Sequence, residues 1–147
     1  MNPNIDAKTN TKISTGRIQD KFGLNGNDII KILNKFKNSR NIKIKCLSVH
    51  IGSQITQNKP YNNVLVAINK ILSKSKYKFE YIDLGGGMGI KYIKDNKKLD
   101  YSKLSKNIHK FSKRNNCKII FEPGRSIVGN TAVLLTKAVS YTHLTLP

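Results

Sequence analysis

Residues 80–93, EYIDLGGGMGIKYI, run a short apolar segment directly into four glycines within five positions. Backbone N–H groups with no Cβ beside them can wrap an anion, so a phosphate is one reason for such a run. A tight strand-to-helix turn is the other, and the stretch alone leaves both open.

The neighbourhood of this stretch repeats along the chain. Upstream, PYNNVLVAINKILSKSK (60–76) carries Tyr61, Val64, Leu65, Ile68, Ile71 and Leu72 as one apolar stripe, with Pro60 where a first helical turn accepts it. Residues 27–41, NDIIKILNKFKNSRN, place Ile29, Ile30, Leu33 and Phe36 at helical spacing, with Asn27 as the expected N-cap and Asp28 in the first turn. In DYSKLSKNIHKFSKRNN (100–116), Tyr101, Leu104, Ile108 and Phe111 repeat the pattern behind a capping Asp100. These stripes predict core-facing helices.

After each helix comes a β-type run: IKIKCLSVHIG (42–52), FEYIDLGGG (79–87) and KIIFEPGRS (118–126), with a fourth apolar run, TAVLLTKAV, at 131–139. Strands alternating with helices of this length predict βα units and a parallel sheet. His50 and Gly85 are 35 positions apart, and Gly85 and Glu122 are 37 apart, close to one βα unit each. Parallel strands present their C-terminal ends at one face, so the three motifs are expected to converge there. Either a (β/α) barrel or a doubly wound sheet does this. A complete barrel takes about 250 residues, so the 147 residues present correspond to a piece of one.

Composition narrows the function. The net charge is +19, from 27 Lys and Arg against 8 Asp and Glu, and it is almost all lysine spread over every segment. Base readout and bidentate phosphate contacts favour arginine, so the charge reads as solvated surface in preference to a nucleic-acid-binding module, the alternative from another class. No apolar stretch has the length of a membrane span, and the N-terminal residues lack the core of a secretory signal. A cytoplasmic protein is expected. Cys46 and Cys117 have no metal-ligand spacing and are expected to be buried, reduced and structural.

The glycine run does not fit a dinucleotide. A fingerprint starting at Gly85 needs glycine where Ile90 stands, and no G-K-[ST] loop is present. A single phosphate suits it better. Glu122, between a strand and Pro123-Gly124, is expected to be rigidly held at the strand ends, and His50 closes its own strand just before Gly52 and Ser53. A phosphate cradle, a flat ring to stack and a carboxylate to keep a ring nitrogen protonated meet the needs of pyridoxal phosphate.

At this point NPNIDAKTNTKISTGRIQDKFGL (2–24), HIGSQI (50–55), YIDLGGGMGIKY (81–92) and FEPGRSIVGNTAVLLTKAV (121–139) resemble the diaminopimelate decarboxylase family. The resemblance implies a partial (β/α)8 TIM barrel of the alanine-racemase-like type, roughly half of it in residues 1–139. It also implies pyridoxal 5'-phosphate as cofactor, meso-diaminopimelate as substrate, L-lysine and CO2 as products, and a homodimer. An ornithine- or arginine-type decarboxylase of the same fold is the alternative.

By resemblance, His50 stacks on the cofactor ring, and Ser53, Gly85, Gly86 and Gly87 hold its phosphate with backbone groups of Gly124 and Arg125. Glu122 bonds the ring nitrogen and Arg125 meets a substrate carboxylate. Lys21, Phe22 and Gly23 are scaffold. The Schiff-base lysine and proton-donor cysteine of the family match no position here. No residue is therefore assigned a catalytic role, and the isolated chain is expected to be inert, with weak or undetectable cofactor association. The final SYTHLTLP (140–147) departs from the family pattern, as a frameshift or assembly junction near Ser140 would produce, so His143 carries no functional weight.

Overall fold

A computed structural model describes residues 1–9, 13–20, 22–92, 98–133, 135 and 137. Helix α1 (Gly26–Phe36) starts where the side chain of Asn25, in extended backbone, accepts the Asp28 N–H. The cap therefore sits two residues before the expected Asn27, because a capping oxygen must reach an N–H in the first turn and Asn25 is the residue that does. Strand β1 (Cys46–Ser48) leads into α2 (Asn58–Ser75), whose first turn contains Pro60. The predicted stripe on α2 is buried at Tyr61, Val64, Leu65, Ile68 and Ile71. Strand β2 (Tyr81–Asp83) is followed by α3 (Tyr101–Asn115), capped by Asp100 accepting from the Lys103 N–H at 2.9 Å as anticipated. Leu104, Ile108 and Phe111 of α3 are buried, whereas Tyr101 is 41% exposed. As the first residue of its helix, Tyr101 only borders an open cavity of about 390 Å³ shared with Met88, Leu104, Ile108 and Phe121.

Strand β3 (Lys118–Ile120) precedes a one-turn helix, α4 (Arg125–Val128), which the apolar periodicity did not announce. In the fourth apolar run, the described residues belong to no strand, and Val133 and Leu135 are almost fully exposed. Among the described residues, Val133 and Leu135 have neither a strand partner nor a covering side chain to hold them as a strand. The run's remaining positions and the 140–147 tail lie outside the described residues.

The sheet runs β1-β2-β3, all parallel. Cys46 pairs with Tyr81 and Tyr81 with Lys118, so the register offsets are 35 and 37, the same as the spacings between motifs. Side chains alternate across a strand. Leu47, Val49, Ile82 and Leu84 face α2 and α3 and join one core with Ile68 and Phe111. Cys46, Ser48, Lys118 and Ile120 lie on the other face and are exposed. Strands that follow in chain order, with their helices on one face, are wound in a single direction. That is the barrel arrangement; a doubly wound sheet reverses its strand order and covers both faces.

Residues before α1 brace the β1 end of this sheet. Ser14 bridges Gly52 antiparallel, Ser53 N–H donates to Ile13 O at 3.2 Å, and the Thr15 hydroxyl donates to His50 O at 3.0 Å. Of the expected scaffold residues, Phe22 is 60% exposed, Gly23 packs on the Met1 and Asn2 main chain, and Lys21 lies outside the described residues.

The segment is closed by Asp20, which accepts hydrogen bonds from the Arg17 guanidinium, the Arg17 N–H and the Ser14 hydroxyl. The Arg17 side chain, then its N–H, hold this carboxyl below its ordinary value of 3.8. A depressed carboxylate contributes stability that is complete above its unfolded pKa and fades as pH falls through the folded one. Asp20→Asn is thus expected to melt earlier than the parent at neutral pH, with the difference shrinking as the pH falls below the ordinary carboxylate value and through the lowered folded one. Thermal melts across that range check it.

Candidate cofactor site at the strand ends

Extending the register two residues past the end of each strand aligns His50, Gly85 and Glu122 in one row. The ladder continues that far: Val49 N–H donates to Asp83 O (2.9 Å), Leu84 N–H to Ile120 O (3.0 Å) and Glu122 N–H to Gly85 O (2.8 Å). The three residue types picked out 35 and 37 positions apart are side by side on the open face.

The glycines at this row are demanded first by the protein itself. Gly85 has φ +64, and a Cβ there would lie 2.6 Å from His50 Nδ1 and 2.8 Å from Val49 O. A Cβ on Gly86 would reach 2.2 Å from Glu122 O, and one on Gly87 (φ +87) 2.1 Å from Gly52 O. The neighbours that exclude side chains are the two adjoining strand-end loops, so the tight-turn reading explains the run without a ligand. Gly124 is different, because no atom of the described residues lies within 4 Å of where its Cβ would be. Packing gives no reason for glycine there, and the space beside it is open, as the cradle of an approaching group requires. To that extent the residues fit a phosphate.

Donors in the turn are unequal. Gly85 N–H is taken by Asp83 Oδ1 at 2.8 Å, and Gly86 N–H faces His50 Nδ1 at 3.4 Å. Gly87 N–H makes no hydrogen bond among the described residues. Gly85 N–H is thus spent within the turn and Gly86 N–H on His50, which leaves Gly87 as the amide of the three without a partner among the described residues. Glu122 is exposed, and its carboxylate makes no hydrogen bond among the described residues. Its main chain is fixed by Gly85 O, but the rigidly held carboxylate expected from Pro123-Gly124 is not seen. Ser53 is half-buried in the loop that carries His50, and Arg125 donates through Nη1 to Gln54 Oε1 at 3.1 Å.

Three residues that shape the site went unremarked in the sequence. Asp83 is buried, its Oδ1 on Gly85 N–H and its Oδ2 accepting the Ser48 hydroxyl at 2.8 Å. An acid two residues before a glycine turn is an Asx-turn signature, and that signal was present in YIDLG. Tyr61 reads from the sequence as one member of an apolar stripe, with nothing to mark its hydroxyl. It is buried and donates its hydroxyl to Gly86 O at 2.8 Å, and burial pushes that hydroxyl well above its ordinary pKa, so it stays a neutral donor. Gln54 is the third, and no local pattern marks it.

Cys46 is exposed on the open face, not buried as expected, because its position shares the parity of Ser48 and His50. Neighbouring atoms that displace water from the sulfur, and then the negative charge of Asp83, push its thiol pKa upward. Cys117 is buried as expected. No group of three or more His, Cys, Asp or Glu able to hold a metal occurs among the described residues, and none of the helices there is long and apolar enough to cross a membrane.

Parallel strands in barrel order, with a histidine, a glycine turn and a carboxylate in one row at their C-terminal ends, define a class of cofactor-dependent enzyme. A family model for the pyridoxal binding domain of pyridoxal-dependent decarboxylases matches residues 1–129, and the chain belongs to that family. Among individual relatives, it is 36% identical to the diaminopimelate decarboxylase of Zymomonas mobilis over 95% of this chain and 34% of that protein. Its structure superposes on diaminopimelate decarboxylase from Helicobacter pylori complexed with L-lysine with a TM-score of 0.78 at 32% identity, covering 86% of this chain and 33% of that one. A lysine/ornithine decarboxylase from Vibrio vulnificus complexed with cadaverine is more distant, with a TM-score of 0.61, 25% identity, 73% of this chain and 30% of that one covered. The chain spans about a third of the length of the curated relatives it matches.

Proposed function

We propose that residues 1–129 form the cofactor-holding part of an enzyme that decarboxylates meso-diaminopimelate to L-lysine. The observation that carries this reading is the single row of His50, Gly85 and Glu122, set by a register that the motif spacing reproduces. Pyridoxal phosphate, when bound, supplies an electron-accepting ring for the pair left behind as the carboxylate departs.

In this reading the chain's own residues bind and orient. His50 offers a flat imidazole for stacking. Gly86, Gly87, Gly124, Arg125 and the Ser53 hydroxyl surround a phosphate, and Gly85 bends the chain so that they do. Glu122 keeps a proton on a ring nitrogen by a charge-assisted hydrogen bond. Arg125 matches its planar fork to a substrate carboxylate. The homodimer, the cytoplasmic setting and the division between residues 1–139 and the tail belong to the same proposal. An ornithine-type substrate is the second reading, favoured by the likeness to the lysine/ornithine enzyme.

A chimera tests it: residues 1–129 in place of the matching third of the Zymomonas mobilis relative. With pyridoxal phosphate added, the expected result is CO2 release from meso-diaminopimelate well above that from ornithine or arginine. A chimera that folds but releases none from any of the three overturns the reading, and a preference for ornithine replaces the substrate.

A further inference from the structure

Gln54 occupies a position that neither local structure nor burial accounts for. It is a non-glycine residue at φ +62 in the loop after β1, a conformation that disfavours side chains. Its amide bridges to two other loops. Nε2 donates to Ile90 O at 2.6 Å, while Oε1 accepts from Ile90 N–H at 3.2 Å and from Arg125 Nη1 at 3.1 Å. The pair on Ile90 fixes which end of the amide is oxygen, since a flipped amide would turn its donor toward both Ile90 N–H and the guanidinium. One oxygen is thereby forced to serve two donors from different strand ends. On its other side the Arg125 guanidinium lies 5.9 Å from the Tyr92 ring centroid, within cation–π range.

We propose that Gln54 is a positioning residue for Arg125, holding the guanidinium between its own amide oxygen and the Tyr92 ring so that the remaining N–H donors present a fixed fork to a carboxylate. This rests on the reading that Arg125 meets a substrate carboxylate. An arginine tethered on one edge loses little further freedom when it binds, whereas a free one must be ordered by the ligand. The same amide ties the glycine loop to the histidine loop through Ile90, so the three strand ends are set as one unit.

Nuclear magnetic resonance on the 147-residue chain tests the proposal through the Arg125 Nε–Hε group and the Ile90 amide. In the parent, the Arg125 order parameter is expected above about 0.6, the boundary of flexible behaviour. Gln54→Met, which keeps length but removes both polar contacts, is expected to drop it below that boundary and to speed Ile90 amide exchange by up to about tenfold, the change expected for the loss of one net hydrogen bond. Gln54→Glu retains an acceptor for Arg125 and for Ile90 N–H, but it replaces the donor with a charged oxygen that repels Ile90 O and drives the carboxylate off Ile90 toward the guanidinium. It is expected to keep Arg125 ordered while still releasing Ile90. Arg125 equally ordered in a folded Gln54→Met, or disordered in Gln54→Glu, overturns the proposal. If Gln54→Met does not fold, the split response in Gln54→Glu decides alone. L-lysine added to the parent tests the underlying reading separately. A shift at Arg125 Nε–Hε supports a carboxylate contact, and no shift removes that role from Arg125 while leaving the ordering result to stand or fall by itself.

Discussion

Gly87→Ala is expected to destabilise the chain by about 3 kcal/mol or more, the sum of left-handed backbone strain and a main-chain collision. The residue sits at φ +87, and its new Cβ would lie 2.1 Å from Gly52 O. Relief by movement is blocked from both directions. Gly52 is buried and bridged to Ser14, and Gly87 O accepts the Ile55 N–H at 2.8 Å. Shifting either loop breaks a hydrogen bond of the other. The control is Gly124→Ala, where nothing among the described residues lies within 4 Å of the added carbon and the expected change is within about 1 kcal/mol. Urea titrations followed by circular dichroism compare the two. Equal midpoints would mean that the strand-end loops do not meet as described.

Glu122→Gln, placed in the chimera with the Zymomonas mobilis relative, is expected to lower kcat/KM on meso-diaminopimelate by on the order of a hundredfold, as removal of one preorganised electrostatic partner commonly does. The amide has the shape of the carboxylate but not its charge, so it cannot hold a proton on the ring nitrogen with a charge-assisted bond. Stability should hardly move. Glu122 is exposed and its carboxylate has no protein partner among the described residues, so the melting temperature is expected to stay within the range of an ordinary surface change. This separation is the diagnostic feature. A variant that retains the parent rate removes Glu122 from the site, and one that loses rate and fold together assigns it to structure.

Much of this architecture is legible in the chain because it rests on periodicity. The stripe from Val64 to Ile71 and the cap at Asp100 needed no partner to be recognised, since helical spacing and a capping carboxylate act within one turn. The spacings of 35 and 37 residues carry the register itself, because parallel strands joined by near-equal helices come into line at a constant offset. That put His50, Gly85 and Glu122 in one row. Parity also follows from the alternation of side chains along each strand, yet the exposure of Cys46 was misjudged, since a cysteine in an apolar run says nothing of which face it takes.

What the sequence determined by itself is the succession of the three long helices and the three paired strands, their pairing offset and the strand ends that meet, all consequences of short-range repeats. Only the tertiary structure decided that the glycines make room for neighbouring backbone, that Tyr61 grips the turn from α2, and that Gln54 reaches Ile90 and Arg125, 36 and 71 residues away. Such contacts depend on shape and on unpaired hydrogen-bonding groups brought together by packing. No local pattern encodes which distant oxygen will be there to receive them.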